Sequence, residues 1–359
     1  LSNPQKKIRV LVADDSAFMR RLLKDLIGKD KEIEVVAAAR NGVEALQKIK
    51  LFKPDVATLD IEMPVMDGLE ALEKIMEENP IPVVMLSAHT QRGSAATIRA
   101  LEKGAVDFLT KPGGPVFLQV TQLGEELINK IKTAAGAAVG KFKLTGAPPE
   151  RGPAHESTVA HPFSIVAIGT STGGPKALFE VMSRLKKGLN AAILIVQHMP
   201  PGFTKSLAQR LDMSSQFLVK EAENGDEVKS GMAFVAPGGY HMEVRDVNEK
   251  ITIHLHQEPP VNGHRPSVDV LMKSVARLSQ PKVGVIMTGM GNDGARGIRE
   301  LKDAGAVTIG ESAETCVVYG MPKAACQLGA IDHEAPLYRI ADLIELAFYQ
   351  KIGRRQTWI

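Results

Sequence analysis

Over residues 8–135, short runs of aliphatic and β-branched residues alternate with stretches whose apolar positions recur every three or four residues. The runs are 8–12, 33–37, 56–59, 83–86 and 106–109, each short enough for a buried strand. Between them, sets such as Phe18, Leu22, Leu23 and Leu26, or Leu69, Leu72, Ile75 and Met76, mark one face of a helix. Strand and helix in regular alternation predict a parallel five-stranded sheet with helices on both faces, a flavodoxin-like α/β unit.

The periodicity stops over residues 136–161, where Gly140, Gly146, Pro148, Pro149, Gly152 and Pro153 stand among scattered charges, the pattern of a linker. It resumes with strands expected at 164–168, 191–196, 283–287 and 307–309. Helices are expected at 175–185, 204–211, 267–278, 295–304 and about 340–348, and two strands of an antiparallel patch at 232–236 and 251–256. The division that follows is 1–135, a linker 136–161, a second doubly wound, mostly parallel α/β domain over 162–350, and a basic tail 351–359 carrying Lys351, Arg354 and Arg355.

A chain of 359 residues exceeds one ordinary core, in keeping with two domains. A formal net charge of +3 gives no electrostatic footprint for nucleic acid. Apolar runs are strand-length rather than the ~20 residues of a membrane span, so membrane insertion is not expected. No secretory leader pattern opens the sequence and two cysteines make no disulfide framework, so a cytoplasmic protein is expected.

In the first domain, polar residues gather where strands end. Asp14 and Asp15 follow the first strand, Asp60 the third, Ser87 the fourth, and Lys111 the fifth. In such a sheet the ends of strands one and three meet at the switch point. Asp14 or Asp15 alone would read as a helix cap. Features at the ends of four strands instead point to a site. Three carboxylates there repel one another unless a hard cation such as Mg²⁺ shares them. Asp60 can then be a phosphoryl-accepting nucleophile, with Lys111 and Ser87 facing the phosphoryl oxygens.

These residues, with the segments 59–64, 66–68, 86–88 and 104–112, closely resemble the response-regulator receiver domain. The resemblance implies phosphorylation at Asp60 and Mg²⁺ held by Asp15, Asp60 and a backbone carbonyl with Asp14 assisting. It also implies Ser87 and Phe108 as the switching pair.

In the second domain, residues 169–174 read Gly-Thr-Ser-Thr-Gly-Gly between a strand and a helix. Gly169 and Gly173 around Ser171 fit the strained turn that exposes a nucleophilic serine, but the same turn could cradle a phosphate. Among nine histidines, His198 follows the strand after the Ser171 unit. His241 and His264 lie in expected loops, His254 and His256 in a strand, His155 and His161 in the linker, and His89 in the first domain. Asp293 lies in the Gly-rich stretch 289–294 after a later strand. Serine, histidine and acid at the ends of three parallel strands give the convergence that nucleophilic catalysis needs. Their chain order, Ser–His–Asp, differs from that of the α/β-hydrolases.

With the segments 168–175, 197–203, 236–239, 265–269, 288–294 and 316–322, the chain resembles the family of chemotaxis response regulators that are protein-glutamate methylesterases. The resemblance implies Ser171 as nucleophile, His198 as base and Asp293 as orienting acid. The Met290 N–H would be an oxyanion donor, and Thr172, Gly173 and Gly174 would line the site. The implied substrate is a glutamyl methyl ester on the cytoplasmic domains of chemoreceptors, with receptor glutamines as a second substrate. A chemotaxis histidine kinase would be the phosphoryl donor. Ester hydrolysis would need no cofactor, and the receiver would restrain the esterase until phosphorylated. Two rivals predict other features. A DNA-binding output would be a compact helix-turn-helix, shorter and less strand-rich than residues 162–359. A nucleotide-binding module would carry G-K-[ST] or a full G-x-G-x-x-G, and neither Gly-rich turn does.

Overall fold

The structure, a computed structural model, describes residues 6–88, 90–111, 120–137, 163–186 and 188–355. Most of the expected linker, the tail residues 356–359, and His89, His155 and His161 lie outside the described residues. The chain divides into two compact units, 1–143 and 144–359.

The first unit runs β1 (Ile8–Ala13), α1 (Ala17–Ile27), β2 (Ile33–Ala39), α2 (Gly42–Phe52), β3 (Val56–Asp60), α3 (Gly68–Glu78), β4 (Val83–Ser87), α4 (Gln91–Glu102), β5 (Asp107–Thr110) and α5 (Val120–Ala135). Its five strands are parallel in the order β2-β1-β3-β4-β5, as expected of a flavodoxin-like sheet. Helices α1 to α4 start where a side chain replaces a missing backbone acceptor: Ser16, Asn41, Asp67 and Thr90 each accept from an amide three residues on. Between β3 and α3 the Met66 amide donates back to the Pro64 carbonyl at 2.8 Å, closing a three-residue turn. Its centre, Val65, has φ +69°, a conformation a β-branched side chain rarely adopts, and is exposed.

The second unit continues with β6 (Ser164–Thr170), α6 (Gly174–Arg184), β7 (Ala191–Gln197), α7 (Phe203–Ser214), β8 (Leu218–Glu221), β9 (Met232–Val235), β10 (His241–Val247), β11 (Lys250–His256), α8 (Val268–Ala276), β12 (Lys282–Ile286), α9 (Ala295–Asp303), β13 (Val307–Glu311), α10 (Met321–Gln327), β14 (His333–Ala335) and α11 (Leu337–Arg355). Seven strands form a parallel sheet in the order β14-β13-β12-β6-β7-β9-β8. The antiparallel patch is the hairpin β10–β11, turning at Asn248 and Glu249, both at positive φ as a tight hairpin of this hand requires.

Three expectations change. The strand at Met232 belongs to the parallel sheet, because β9 pairs with β7 and β8; its apolar run fixed a strand but not its direction. His241 opens β10 rather than lying in a loop, and it is fully buried, its Nε2 3.2 Å from the Pro259 carbonyl and its ring centre 5.3 Å from that of His256. The basic residues Lys351, Arg354 and Arg355 lie within α11 rather than in a tail. The apolar periodicity ends near Phe348, but no proline follows to stop the helix. The core on this face joins Met242, Val244, Ile251 and Ile253 of the hairpin to Leu271, Met272 and Val275 of α8 and to Leu194 of β7.

Candidate functional site

Two sites form at the carboxyl ends of the two sheets. In the first unit, the neighbouring strands β1 and β3 bring Asp14, Asp15 and Asp60 together, their ligand oxygens all within 4.8 Å of one another. Asp14 and Asp60 are buried and Asp15 is exposed. Lys111, just past β5, places its Nζ 2.8 Å from Asp14 Oδ2 and 2.8 Å from Asp60 Oδ2. Burial works against the ammonium, but the two carboxylates outweigh it and raise the Lys111 pKa. Asp60 must share that cation. Its own burial, aided by the nearby charges of Asp14 and Asp15, pushes its carboxyl up to about 6 despite the bond from Lys111. An all-oxygen donor set around a surplus of negative charge fits a hard divalent cation.

Helix α3 enters tight against this cluster. A Cβ on Gly68 would lie 2.0 Å from the Asp60 carbonyl oxygen, so only glycine lets the helix begin there. Ser87 is buried, and its hydroxyl is engaged with the start of α4: Thr97 Oγ1 lies 2.6 Å away, and the Gly93 carbonyl 3.3 Å. Phe108 is buried on β5, with the Lys130 ammonium 5.7 Å from its ring centre. Thr97 was not singled out by the sequence; a threonine in the second turn of a helix carries no signal of its own.

In the second unit, β12, β6 and β7 are adjacent, and they are the strands that precede Asp293, Ser171 and His198. Strands β6 and β7 pair Thr170 with Gln197, so Ser171 and His198 are the next residues in register. The His198 amide donates to the Thr170 carbonyl at 3.2 Å. Gln197, buried, donates from Nε2 to the carbonyls of Ser171 (3.0 Å) and His198 (3.1 Å), bracing both turns.

His198 Nε2 lies 2.8 Å from Asp293 Oδ2, and the His198 side chain is 6% exposed. Nδ1 is buried and has no hydrogen-bond partner among the described residues. The ring of His264 lies on that of His198, centres 3.7 Å apart and planes within 8°. Asp293 is held from several directions. It accepts from Ser267 Oγ (2.7 Å), Asn262 Nδ2 (2.9 Å) and the amides of Val268 (2.7 Å) and Asp269 (3.3 Å). Burial alone would raise its pKa, but His198, Asn262 and Ser267 hold the carboxyl far below the usual range, so it is ionised at neutral pH.

Beside Ser171 the backbone is packed too closely for side chains. A Cβ on Gly289 would sit 2.8 Å from Ser171 Cβ and 2.3 Å from Met321 Sδ. The Ser171 amide donates to the Thr288 carbonyl at 3.0 Å, and Thr288 Oγ1 donates to the Thr172 carbonyl at 2.9 Å. Gly173, at φ +79°, precedes α6 with no side-chain cap, and the Gly174 amide closes the turn by donating to the Ser171 carbonyl at 2.8 Å. Met290 is half exposed between Gly289 and Gly291. Asn262 and His264 sit on the stretch between β11 and α8, where His264 lies in the loop expected for it and Asn262 carries no sequence signal.

A phosphoacceptor-type acidic cluster on one sheet and a serine, histidine and buried acid on the next define a response regulator whose output domain has a hydrolase-type site. The comparisons with known proteins agree. Residues 10–120 match the response regulator receiver domain and residues 166–344 match the CheB methylesterase model. A protein-glutamate methylesterase/protein-glutamine glutaminase of Halalkalibacterium halodurans is 49% identical over 345 residues, 95% of this chain and 98% of that one. One of the same description from Pyrococcus abyssi is 48% identical over 342 residues, 94% of this chain and 93% of that one. The crystal structure of the Thermotoga maritima CheB methylesterase catalytic domain is 46% identical with a TM-score of 0.50, covering 51% of this chain and 98% of that one. The chain belongs to the CheB methylesterase family, with a response regulator receiver domain at its N-terminal end.

Proposed function

We propose that the chain is a phosphorylation-controlled esterase that removes methyl groups from glutamyl methyl esters of chemoreceptors. The observation that carries the reading is the 2.8 Å contact between His198 Nε2 and the ionised Asp293, made at the end of the strand next to that of Ser171. A carboxylate on Nε2 fixes the tautomer with its proton there, which leaves the lone pair on Nδ1. Nδ1 is therefore the atom that takes the Ser171 hydroxyl proton as Oγ attacks the ester carbonyl. The oxyanion is met by the Met290 amide, with Thr172, Gly173 and Gly174 lining the pocket. Collapse of the tetrahedral intermediate breaks the bond to methoxide, which leaves as methanol with the proton from His198. Water, deprotonated by His198, then hydrolyses the acyl-enzyme to the glutamate carboxylate and free Ser171. Asp293 stabilises the imidazolium formed in each half-reaction. The same steps on a glutamine side chain release ammonia, in line with the second activity in the names of the relatives.

In the receiver, Asp60 attacks the phosphorus of a phosphohistidine on the phosphoryl donor, a chemotaxis histidine kinase; the P–N bond breaks, the kinase imidazole leaves, and an aspartyl phosphate forms. Asp15 and Asp60 would hold Mg²⁺ beside Asp14, and the bound ion would neutralise charge on the incoming phosphoryl group. Lys111 pairs with the phosphoryl oxygens, and Ser87 and Phe108 report the modification. No helix among the described residues is long and apolar enough to cross a membrane. The proposed substrate, the cytoplasmic domain of a chemoreceptor, puts the site of action in the cytoplasm. The test is methanol release from methylated receptor with and without acetyl phosphate and Mg²⁺. No release, or release unaffected by the phosphoryl donor, would refute the reading in its chemistry or its control, respectively.

A further inference from the structure

One buried acid of the second unit takes no part in this chemistry. Glu311 ends β13, the strand beside β12, and is fully buried. Among the described residues it has no cation partner; the titratable group that faces it is the Cys316 thiol, whose pKa burial and Glu311 raise. Its contacts are hydrogen bonds: Oε2 accepts the Thr288 amide at 2.8 Å, and Oε1 lies 2.9 Å from Thr315 Oγ1. Thr315 Oγ1 also accepts the Leu337 amide at 2.9 Å, which ties the arrangement to the start of α11.

Thr288 is the hub from which the serine turn hangs. Its carbonyl receives the Ser171 amide, its hydroxyl donates to the Thr172 carbonyl, and the same hydroxyl receives the Val318 amide at 3.0 Å. Thr288 is itself buried, so its amide has no water to fall back on, and Glu311 is the partner it has. Resting on the esterase reading above, we propose that Glu311 is a positioning residue for ester hydrolysis, fixing Thr288 and through it the turn that presents Ser171. Burial pushes the Glu311 carboxyl up to about 7 against the pull of its hydrogen bonds, so the neutral acid is well populated at neutral pH. The Thr315 hydroxyl donates to Oε1 while Oε2 accepts the Thr288 amide. Glutamine has the same shape and keeps a carbonyl oxygen for the Thr288 amide; its N–H meets Thr315 Oγ1 once that hydroxyl turns.

The experiment compares full-length wild type with Glu311→Gln and Glu311→Leu. It reads kcat and KM for methanol release from methylated receptor, melting, and hydrogen exchange at the Ser171 and Thr288 amides. Glu311→Gln should keep kcat within about threefold. Glu311→Leu should lose roughly ten- to a hundredfold in kcat, with KM changed less than about twofold and exchange faster at both amides, on a chain that still melts cooperatively. A folded Glu311→Leu chain with normal kcat and normal exchange would overturn the proposal. So would a Glu311→Gln chain as impaired as the leucine variant, since charge rather than the neutral hydrogen bond would then be needed. If Glu311→Leu does not fold, Glu311→Gln decides alone, by keeping or losing wild-type kcat and exchange. Ser171→Ala separates the two ideas: turnover surviving in it refutes the serine mechanism, whereas the exchange arm tests the anchoring of the turn whichever residue is the nucleophile.

Discussion

Replacing Asp60 by asparagine should stabilise the receiver while abolishing its phosphorylation. Asp60 is buried against Asp14 and shares one ammonium with it, and its carboxyl is raised from 3.8 to about 6. A folded pKa above the unfolded one means that the folded state holds its proton more tightly. The associated stability is fully present below about pH 4 and is lost as pH rises through about 6. Carried through, the ionised side chain costs the folded domain roughly 3 kcal/mol at neutral pH. Asparagine removes that cost but weakens one of the two bonds to Lys111, worth about 1–2 kcal/mol, so the net gain should be roughly 1–2 kcal/mol. Hydrogen exchange in peptides from β1, β3 and β4 under mild urea isolates the receiver within the full-length chain. The gain should appear above about pH 6, shrink towards pH 4, and narrow when Mg²⁺ is added, because the ion relieves the same repulsion in the wild type. An equal difference at pH 4.5 and pH 8, or a less stable variant at pH 8, would refute the electrostatic account. Labelling of the variant by acetyl phosphate equal to that of the wild type would refute the assignment of Asp60 itself.

Ser171→Ala, His198→Gln and the double variant should show similarly low esterase rates, because members of a triad act as a unit; near-normal turnover in folded His198→Gln would overturn the base assignment. His264→Ala should lower kcat about two- to tenfold, as loss of a ring stack costs ~0.5–1.5 kcal/mol, and His264→Phe should recover most of it; equal losses in both would show that stacking is not what matters. Val65→Asn should stabilise the receiver by about 1 kcal/mol, measured by urea unfolding, since asparagine tolerates positive φ better; no gain would mean that the turn is not strained. A fragment starting near residue 161 should outpace the unphosphorylated full-length chain in methanol release, and a fragment that is no faster would exclude restraint by the receiver.

The receiver was nearly all legible from the sequence because its chemistry sits at strand ends, where a polar residue interrupts an apolar run: Asp14, Asp60, Ser87 and Lys111 are each placed by one strand. In the second unit the same logic located Ser171, His198 and Asp293. Strands β8 and β14, with four and three residues and few apolar positions, escaped it, as did β10, whose apolar run breaks at Arg245 and Asp246, and the short helix α10. What surrounds Asp293 was hidden for another reason. Asn262 and Ser267 reach it from a loop and a helix entry, and such an approach depends on where α8 packs, which local pattern does not encode. Glu311 was readable in principle, as a lone acid closing an apolar strand, but a carboxyl there could equally have faced water.

The convergence of donors on Asp293 also imposes an order in time. Asp293, and the Asn262 and Ser267 that orient it, are synthesised long after Ser171, while the whole receiver leaves the ribosome first and can fold as the rest is made. A nascent chain therefore completes its receiver before the residues that orient His198. No truncated product ending before residue 293 can carry an oriented His198, so prematurely terminated chains would not erode the methylation record on which adaptation depends.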